Sequence, residues 1–414
     1  MPTIKFHTLG CKVNQYDTQS IRERFLEHGF QEELKTGKAD IYLINTCTVT
    51  ANADQKSRSA IRRCISENPK AKIIVTGCLV KKDSRQLAKI KGISFIVSKS
   101  FFAEGISSFH SHTRAFLKIQ DGCDNSCAYC KVPLVRGRSR SRALAEVVKD
   151  ARSLAKNGFK EIVLTGICLG AYGRDLEPKT SLVEVIEALE KIRGILRLRL
   201  SSIEAGDVTD ALITKMAESK KLCPHLHIPI QSGDDKILKE MRRRYTRSYY
   251  IKLVKRIKRK IPGLSLTTDC LVGFPGETER NFKNTLGLIK CIVPLKVHIF
   301  PYSRREGTLA GSKLSGGIPP LVMKRRIDSL KSCAEACARD YKENFLGAKV
   351  PVLFEGESKE IRGYWEGYAG NYIRVLSKSR RILKNKLYFV RLKGILGDCM
   401  LDKIPGRCYK YKCH

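Results

Sequence analysis

The chain has 414 residues, 42% of them hydrophobic, and its 78 lysines and arginines against 41 aspartates and glutamates give a formal net charge of +37. That length favours two or three domains over one ordinary core. So large a positive charge implies a polyanionic partner more readily than a small neutral metabolite. Nucleic acid fits best, and an anionic membrane surface fits less well.

We expect a cytoplasmic protein without a membrane partner. The N-terminal residues lack the layout of a signal peptide, and no uninterrupted apolar run approaches membrane-spanning length. The 16 cysteines are expected to be reduced, because disulfides at high density belong mainly to small secreted proteins.

The first hundred residues alternate short β-type runs with amphipathic helical stretches. The predicted strands are Ile4–Thr8, Ile41–Ile44, Ile73–Thr76 and Phe95–Val97. This alternation is typical of α/β proteins and predicts an N-terminal doubly wound parallel α/β domain.

One cysteine directly follows each of three of these strands, namely Cys11, Cys47 and Cys78. Residues just past the carboxyl ends of parallel strands converge on one edge of a sheet, so we expect the three thiols to meet in space. Any one of them could instead be a small apolar core residue. The shared topological position of all three favours a three-thiolate cluster site.

A second group of thiols, Cys123, Cys127 and Cys130, has the spacing C-x3-C-x2-C and follows the apolar run Phe116–Ile119. A four-iron cluster normally takes four thiolates, so a loop with three leaves one iron free to bind another ligand. Structural zinc is the alternative, but it requires a fourth ligand, and no second pair of ligands follows nearby.

The α/β alternation continues from residue 116 to about residue 338. Six strands are predicted, at Phe116–Ile119, Glu161–Leu164, Leu196–Leu200, His225–Ile228, Leu266–Asp269 and Val297–Phe300. Six β/α units indicate a partial (β/α)6 barrel whose active site lies at the C-terminal ends of the strands. The cysteine loop follows the first of these strands.

Beyond about residue 345 the pattern changes to short strands punctuated by glycine, which predicts a small all-β barrel. Arg380 and Arg381 lie in a basic run in its middle. Such a run is often only a solvated face. Here the charge of the whole chain, together with nearby aromatic residues, favours RNA contact through phosphate pairing and base stacking. The aromatic residues are Tyr364, Trp365, Tyr368 and Tyr372.

Together, the opening Leu9–Thr18, the three dispersed cysteines, the C-x3-C-x2-C loop and the terminal barrel resemble the radical S-adenosylmethionine (SAM) methylthiotransferases over nearly the whole chain. The resemblance implies an N-terminal methylthiotransferase domain at 1–105, a radical SAM core at 109–340 and an RNA-binding TRAM domain at 343–406. It also implies two 4Fe-4S clusters, an auxiliary one on Cys11, Cys47 and Cys78 and a SAM-binding one on Cys123, Cys127 and Cys130.

The same resemblance implies contacts to SAM from the strand ends. Thr165 and Gly166 would face its amino group, Glu204 would accept hydrogen bonds from its ribose, and Tyr129 would pack against its adenine. The expected set is Tyr129, Thr165, Gly166, Ser202, Glu204, Gln231 and Gly273. Glu204 could equally be a surface acid, and Tyr129 could simply shield the cluster.

Two further basic blocks lie beyond the cysteine loop and before a predicted helix. The arginines of the first block, Arg136–Arg142, could hold substrate phosphates or the SAM carboxylate, because a guanidinium binds both through two hydrogen bonds. The second block, Arg242–Arg247, fits an RNA-facing surface. The predicted RNA contacts are Arg136, Arg138, Arg243, Arg380 and Arg381. For the second block, a charged helix start is the alternative. Cys168 departs from the family, which more often has His or Asn there, and its role stays open.

The signature at the first cysteine, Gly-Cys-Lys-Val-Asn-Gln-Tyr, is similar to that of the branch acting on threonylcarbamoyladenosine in tRNA. The isopentenyladenosine branch usually reads Gly-Cys-Gln-Met-Asn, and the ribosomal-protein branch Gly-Cys-Pro-Lys-Asn. His298–Ser303 and Arg304–Thr308 also match the first branch. The resemblance therefore implies 2-methylthiolation of N6-threonylcarbamoyladenosine at tRNA position 37, beside the anticodon.

Such an enzyme would be a monomer that takes electrons from a flavodoxin- or ferredoxin-type donor. Two alternatives within the family are a ribosomal-protein methylthiotransferase and an isopentenyladenosine methylthiotransferase. An alternative of another class is a noncatalytic RNA-binding metalloprotein.

Overall fold

A five-stranded parallel sheet with helices between its strands forms the N-terminal part of the protein. The structure is a computed structural model that describes residues 1–34, 37–98, 105–110, 112–313 and 317–403. The first elements are β1 (Thr3–Thr8), α1 (Lys12–Glu27), β2 (Gln31–Glu32), β3 (Ile41–Thr46), α2 (Ala51–Glu67), β4 (Lys72–Gly77), α3 (Cys78–Ala88) and β5 (Phe95–Ile96). The strand order is β2-β1-β3-β4-β5, and every neighbouring pair is parallel.

All four strands predicted in this part are present. The central strand β3 is buried along nearly its whole length, as expected for a parallel strand covered on both faces. The additional strand β2 has two residues, too few to produce a hydrophobic pattern in the sequence.

The middle of the chain contains six parallel strands separated by helices, together with a short hairpin. Its elements are β6 (Arg114–Lys118), β7 (Gln120–Asp121), α4 (Val132–Arg136), β8 (Arg140–Ser141), α5 (Leu144–Lys156), β9 (Glu161–Thr165), α6 (Leu182–Glu190), β10 (Arg197–Leu200), α7 (Asp210–Glu218), β11 (His225–His227), α8 (Asp235–Glu240), α9 (Arg247–Lys260), β12 (Ser265–Val272), α10 (Glu279–Ile292), β13 (Lys296–Pro301), α11 (Leu309–Lys313) and α12 (Pro320–Glu343).

The six strands form two parallel sheets, β10-β9-β6 and β11-β12-β13. Parallel bridges from Leu198 to Leu222 and from Ser202 to His227 join β10 to the segment of β11, so the strands succeed one another in chain order. All six predicted strands are present. The sequence analysis did not predict the hairpin in which β7 pairs with β8, and this hairpin closes the base of the cysteine loop.

The C-terminal part is a single six-stranded, mostly antiparallel sheet. Its strands are β14 (Lys349–Glu357), β15 (Tyr364–Ala369), β16 (Arg374–Lys378), β17 (Leu387–Arg391), β18 (Gly394–Leu396) and β19 (Cys399–Leu401), in the order β17-β14-β15-β16-β19-β18. The last residues of the predicted domain 343–406 lie outside the described residues.

The turn between β15 and β16 packs against strands β10 and β11 of the middle part. Tyr372 has a φ of 67° in this turn, and its ring stacks on His225 with centroids 4.7 Å apart. The guanidinium of Arg199 lies 4.5 Å from the centre of the same ring. The predicted role of Tyr372, Tyr364 and Trp365 in base stacking is therefore wrong, because Tyr372 is held in this contact and the other two side chains are buried in the sheet.

We find no helix in the described parts of the chain that has both the length and the apolar character needed to cross a bilayer.

Candidate active site

Three loops that carry Cys11, Cys47 and Cys78 meet at the carboxyl edge of the N-terminal sheet. A Cβ atom on Gly10 would lie 2.7 Å from Cys47 Sγ, and one on Gly77 would lie 2.4 Å from the Thr46 carbonyl oxygen. Both glycines also have positive φ, which L side chains rarely adopt. The close approach of these loops therefore requires glycine before Cys11 and before Cys78.

Asn14 holds these loops together from the first turn of α1. Its side-chain amide donates to the Leu9 carbonyl at 2.7 Å and to the Thr46 carbonyl at 3.0 Å. Its Oδ1 lies 3.9 Å from Cys78 Sγ. Cys47 and Cys78 are buried and Cys11 is exposed, so this group of thiols is open on one side.

In the second group, each sulfur lies within hydrogen-bond reach of an N–H donor. The backbone N–H of Asn125 points to Cys123 Sγ and that of Val132 to Cys130 Sγ, both at 3.4 Å. Arg243 Nη1 lies 3.4 Å from Cys127 Sγ. Such donors stabilise thiolate charge and tune the potential of an iron-sulfur cluster.

The three thiols of this loop have different electrostatic environments. A hydrogen bond from Cys168 lowers the pKa of Cys123 to about 7. Burial raises the pKa of Cys130 to about 12, and burial also raises the pKa of Cys127. Because metal ions deprotonate the thiols that coordinate them, iron binding would bring all three to the thiolate form.

Arg136 connects the two groups of cysteines. It ends α4, directly after the cysteine loop, and its side chain is only 4% exposed. Nη1 donates to both oxygens of Asp121 at 2.7 and 2.9 Å, and Nη2 donates to Asn14 Oδ1 at 2.5 Å. Burial opposes its charge, but Asp121 and the thiol of Cys78 raise its pKa well above the ordinary value.

A second arginine links the same two parts of the protein. Arg305, in the loop after β13, donates from Nη2 to the Thr48 carbonyl at 2.7 Å and to Asp54 Oδ2 at 2.9 Å. Thr48 follows Cys47, so this contact fixes the second cysteine loop of the N-terminal sheet against the end of the sixth middle strand.

A cavity of about 440 Å³ opens beside the cysteine loop, and Cys127, Glu204 and Arg243 lie in its wall. Arg243 Nη2 is 2.5 Å from Glu204 Oε2, and the side chain of Arg243 is 3% exposed. The volume is within the range of small-molecule sites. Charged groups of both signs next to the cysteines suit a zwitterionic cofactor such as SAM.

The other predicted SAM contacts lie elsewhere around the strand ends. Thr165 ends β9 and Gly166 follows it, and a Cβ on Gly166 would lie 2.9 Å from Gln120 Oε1. Ser202 follows β10, and Gln231 follows β11 with a φ of 61°.

Two predicted contacts are partly covered by apolar groups. Tyr129 packs against a buried cluster that contains Phe274 and Met241. A Cβ on Gly273 would lie 1.9 Å from Met323 Cε, so α12 covers that glycine.

Residues in the cavity wall that the sequence analysis did not assign to the cofactor include Asn125, Cys168 and Arg243. Cys168 Sγ lies 3.7 Å from the Nδ2 atom of Asn125 and 3.7 Å from Asp207 Oδ2. The only signal in the sequence for this part of the cavity wall was Cys168, an unusual residue for the family, in the loop after β9.

The arginines predicted to contact RNA fall into two groups. Arg136 and Arg243 have buried side chains that pair with acids, so the structure contradicts their assignment as phosphate contacts. Arg138, Arg380 and Arg381 are exposed. The strand that follows the last two in the chain, β17, exposes 43% of Tyr388 and 65% of Phe389.

The two sets of thiols fit iron-sulfur clusters better than single ions. Within the described residues, the only set of three possible ligands with all its ligand atoms within 4.8 Å of one another is His227, Asp269 and His298. Neither set of cysteines is packed closely enough to converge on one ion. A four-iron cluster takes one thiolate per iron and so suits a wider set.

Comparisons with known proteins agree with this geometry. The model of "Uncharacterized protein family UPF0004" matches residues 3–98, and that of the "Radical SAM superfamily" matches residues 117–289. A solved structure of the radical S-adenosylmethionine methyltransferase TsrM from Kitasatospora setae superposes with a TM-score of 0.53 at 14% identity, covering 75% of this chain and 76% of that one. At that identity the likeness shows the fold alone.

Curated relatives match over almost the full chain. The threonylcarbamoyladenosine tRNA methylthiotransferase MtaB of Bacillus subtilis is 37% identical, covering 95% of this chain and 94% of that protein. The protein of the same name from Thermotoga maritima is 34% identical, covering 98% and 99%. The tRNA-2-methylthio-N(6)-dimethylallyladenosine synthase of Clostridium tetani is 35% identical, covering 88% of each. The chain therefore belongs to the radical SAM tRNA methylthiotransferase family.

Proposed function

We propose that this protein converts N6-threonylcarbamoyladenosine at tRNA position 37 into its 2-methylthio derivative. The observation that carries the proposal is the connection of two three-cysteine sites through Arg136. A single site of this kind could serve many radical reactions. Two adjacent ones suit a transferase that activates a carbon atom next to a bound sulfur donor.

The cofactors are SAM and two 4Fe-4S clusters, which when bound supply a radical for C–H activation and a site for the donated sulfur. Cys123, Cys127 and Cys130 would hold the SAM-binding cluster. Arg243 supports the thiolate of Cys127 and orients Glu204, whose free oxygen can accept a hydrogen bond from a ribose hydroxyl. These side chains place the cofactor before any chemistry begins.

Cys11, Cys47 and Cys78 would hold the auxiliary cluster. Asn14 ties two of their loops together, and Arg136 fixes them relative to the other cysteine loop. The role of Arg136 in this proposal is to set the distance and direction between the two sites.

We assign the three predicted units 1–105, 109–340 and 343–406 to an N-terminal cluster domain, a radical SAM partial (β/α)6 barrel and a TRAM domain. RNA would bind the TRAM domain at Arg380 and Arg381, with stacking on Tyr388 and Phe389, which are exposed on β17. Arg138 would contribute a further phosphate contact near the cysteine loop.

We further propose a monomer that works in the cytoplasm on tRNA and receives electrons from a flavodoxin- or ferredoxin-type protein. The large positive charge supports the polyanionic substrate and also suits an acidic electron carrier.

The second candidate substrate is isopentenyladenosine. The 35% identity to the Clostridium tetani tRNA-2-methylthio-N(6)-dimethylallyladenosine synthase supports this candidate. The signature around Cys11 and the segment His298–Ser303 support the threonylcarbamoyl substrate instead. The two products have different masses, so nucleoside analysis separates them.

The test compares tRNA nucleosides from cells that lack the gene with those from cells complemented by the wild type, Cys47→Ala or Cys64→Ala. The methylthio-threonylcarbamoyl nucleoside should return with the wild type and with Cys64→Ala, and it should stay absent with Cys47→Ala. Cys64 is the control because it is a buried cysteine in the hydrophobic core of the N-terminal part. A methylthio-isopentenyl product would support the second candidate. Product from Cys47→Ala would contradict the two-site proposal.

The purified proteins give an independent test. Anaerobic analysis should find about eight irons per chain in the wild type and in Cys64→Ala, and about four in Cys47→Ala, since each site should hold one four-iron cluster. A noncatalytic metalloprotein predicts no cleavage of SAM by the reduced protein.

A further inference from the structure

Three side chains on the last three middle strands form a polar cluster that the proposed function does not use. They are His227 on β11, Asp269 on β12 and His298 on β13, and their ligand atoms all lie within 4.8 Å of one another. His227 is fully occupied, since Nδ1 lies 2.9 Å from Thr267 Oγ1 and Nε2 lies 3.2 Å from Asp269 Oδ1. Asp269 thereby fixes the orientation of that imidazole.

His298 has free hydrogen-bonding capacity. Its ring lies 5.7 Å from that of His227, its residue is exposed, and it makes no hydrogen bond to any residue that the structure describes. Burial lowers the pKa of its imidazole, although Asp269 opposes the shift. A neutral His298 keeps one N–H that it can donate to a ligand.

Lys12 places a positive charge within electrostatic range of the same cluster. It follows Cys11 as the first residue of α1, and its ammonium lies 6.0 Å from the centre of the Phe116 ring on β6. The groups that interact with it electrostatically are Tyr372, Arg114, Arg199 and Asp269, and Lys12 also acts on the imidazole of His298. No described acid forms an ion pair with Lys12.

The other cations around Lys12 already have partners. Arg114 forms an ion pair with Glu355. Arg199 donates to Glu161 at 2.7 Å and to the Gly370 carbonyl at 2.9 Å. Lys12 is therefore the cation of this group that lacks a described acid partner. An unpaired, half-buried ammonium is costly, and the nearest remedy is an anionic ligand.

The same ammonium argues against a metal ion at the histidine cluster. A divalent cation bound by His227, Asp269 and His298 would be repelled by Lys12, and two of the three possible ligands already serve each other. An anion can instead pair with Lys12 and accept the N–H of His298.

We propose that Lys12 and His298 form a subsite for the carboxylate of the threonyl group on the substrate adenine. This inference rests on the proposed function, because it concerns the same substrate. Lys12 adjoins Cys11, so a group attached to a base held near the auxiliary site can reach it. An isopentenyl group has no charge and would leave Lys12 unpaired, which gives discrimination between the two substrates.

The test measures equilibrium binding of anticodon stem-loop RNA to the iron-loaded protein without SAM. Two RNAs are compared, one with threonylcarbamoyladenosine and one in which the threonyl carboxylate is a carboxamide. Both RNAs have the same phosphate backbone, so its contribution to affinity cancels in the ratio of the two dissociation constants. Loss of a charge-assisted contact should weaken binding of the carboxamide RNA to the wild type about tenfold or more.

In Lys12→Gln the two RNAs should bind within about twofold of each other, because the neutral amide can donate a hydrogen bond but has no positive charge that favours the carboxylate over the carboxamide. The exposed Lys91→Gln removes the same charge elsewhere and should keep the full ratio. His298→Gln should reduce the ratio partly, and because His298 is far in sequence from all six cysteines, this variant should keep its iron. If Lys12→Gln loses iron, the ratio measured with His298→Gln decides whether the inference holds.

A wild type that does not distinguish the two RNAs would overturn the inference, and so would a full ratio in both variants. Failure of the proposed function gives a different result. In that case the wild type, with SAM and a reductant, forms no methylthio product from the threonylcarbamoyl RNA, whatever the binding ratio.

Discussion

Arg136 Nη2 lies 2.5 Å from Asn14 Oδ1, and this hydrogen bond joins the helix that follows one cysteine loop to the helix that follows another. The same guanidinium binds both oxygens of Asp121 at the base of its own loop. Asn14 in turn bonds the carbonyls of Leu9 and Thr46. Two side chains therefore determine how the two cysteine sites lie relative to each other.

Replacement of Arg136 by lysine should separate SAM cleavage from product formation. Lysine keeps the charge, but one ammonium cannot reproduce the planar fork that reaches Asp121 and Asn14 together. We expect iron content and 5′-deoxyadenosine formation to stay within about threefold of the wild type. The methylthio product should fall about a hundredfold, because a small displacement of reacting groups can reduce the rate by that much.

Both products are measured in the same reaction, with the exposed Arg138→Lys as the matched control. Equal losses of 5′-deoxyadenosine and methylthio nucleoside would show that Arg136 supports the fold or the SAM site instead. An unchanged product yield would remove the connecting role altogether.

Gly77→Ala should abolish the auxiliary cluster selectively. The new methyl group would lie 2.4 Å from the Thr46 carbonyl oxygen and 2.6 Å from Asn45 Oδ1, so the loops of Cys47 and Cys78 would have to move apart. Iron should drop from about eight to about four per chain. Gly29→Ala is the control, because Gly29 has a φ of +82° with nothing within 4 Å of an added Cβ.

Gly29→Ala should keep about eight irons and lose only about 1–2 kcal/mol of the free energy of unfolding, the cost of a left-handed conformation for an L residue. The readouts are anaerobic iron analysis and chemical denaturation. Eight irons in Gly77→Ala would mean that the loops tolerate the displacement, and the close approach would then have no role in holding the cluster.

The sequence predicted the strands well because they are buried apolar runs placed regularly between helices. Strands such as β3 and β9 are buried along nearly their whole length, so hydrophobicity alone reveals them. The hairpin of β7 and β8 has two residues in each strand, and its pairing depends on where the cysteine loop closes. No local pattern encodes that closure.

The environments of the arginines could not be predicted for a similar reason. Arg243 belongs to a run of arginines that predicts an RNA-facing surface or a charged helix start, yet its partner Glu204 lies 39 residues earlier in the chain. Arg136 depends on Asn14, which is 122 residues away. The burial of a cation is determined by such distant acids and amides, and only the folded chain shows them.

The exposed basic segment between β16 and β17 should contribute to RNA affinity without affecting the chemistry. The double variant Arg380→Gln/Arg381→Gln removes two exposed guanidiniums from the segment before β17, the strand that exposes Tyr388 and Phe389. Each lost phosphate contact should reduce the slope of log affinity against log salt by about one. Filter or fluorescence titrations of tRNA at several salt concentrations measure that slope.

The control for this variant is Lys191→Gln/Arg193→Gln, which removes the same charge from two exposed residues after α6. Its salt slope should equal that of the wild type. Equal slopes for all three proteins would show that RNA does not use Arg380 and Arg381, and loss of 5′-deoxyadenosine formation would show an unexpected effect on the radical site.

Glu204→Gln should weaken SAM binding while both clusters stay in place. Glu204 lines the cavity beside Cys127, and the amide keeps its shape but loses the charge that pairs with Arg243 and strengthens hydrogen bonds from ribose hydroxyls. We expect the KM for SAM in 5′-deoxyadenosine formation to rise about tenfold, with a smaller change in kcat.

Arg243 should still reach Cys127, so the iron content of Glu204→Gln should not change. Glu218→Gln, an exposed acid at the end of α7, is the matched control and should leave KM unaltered. An unchanged KM in Glu204→Gln would place SAM outside this cavity, and a loss of iron would show that the Glu204–Arg243 pair serves the cysteine loop rather than the cofactor.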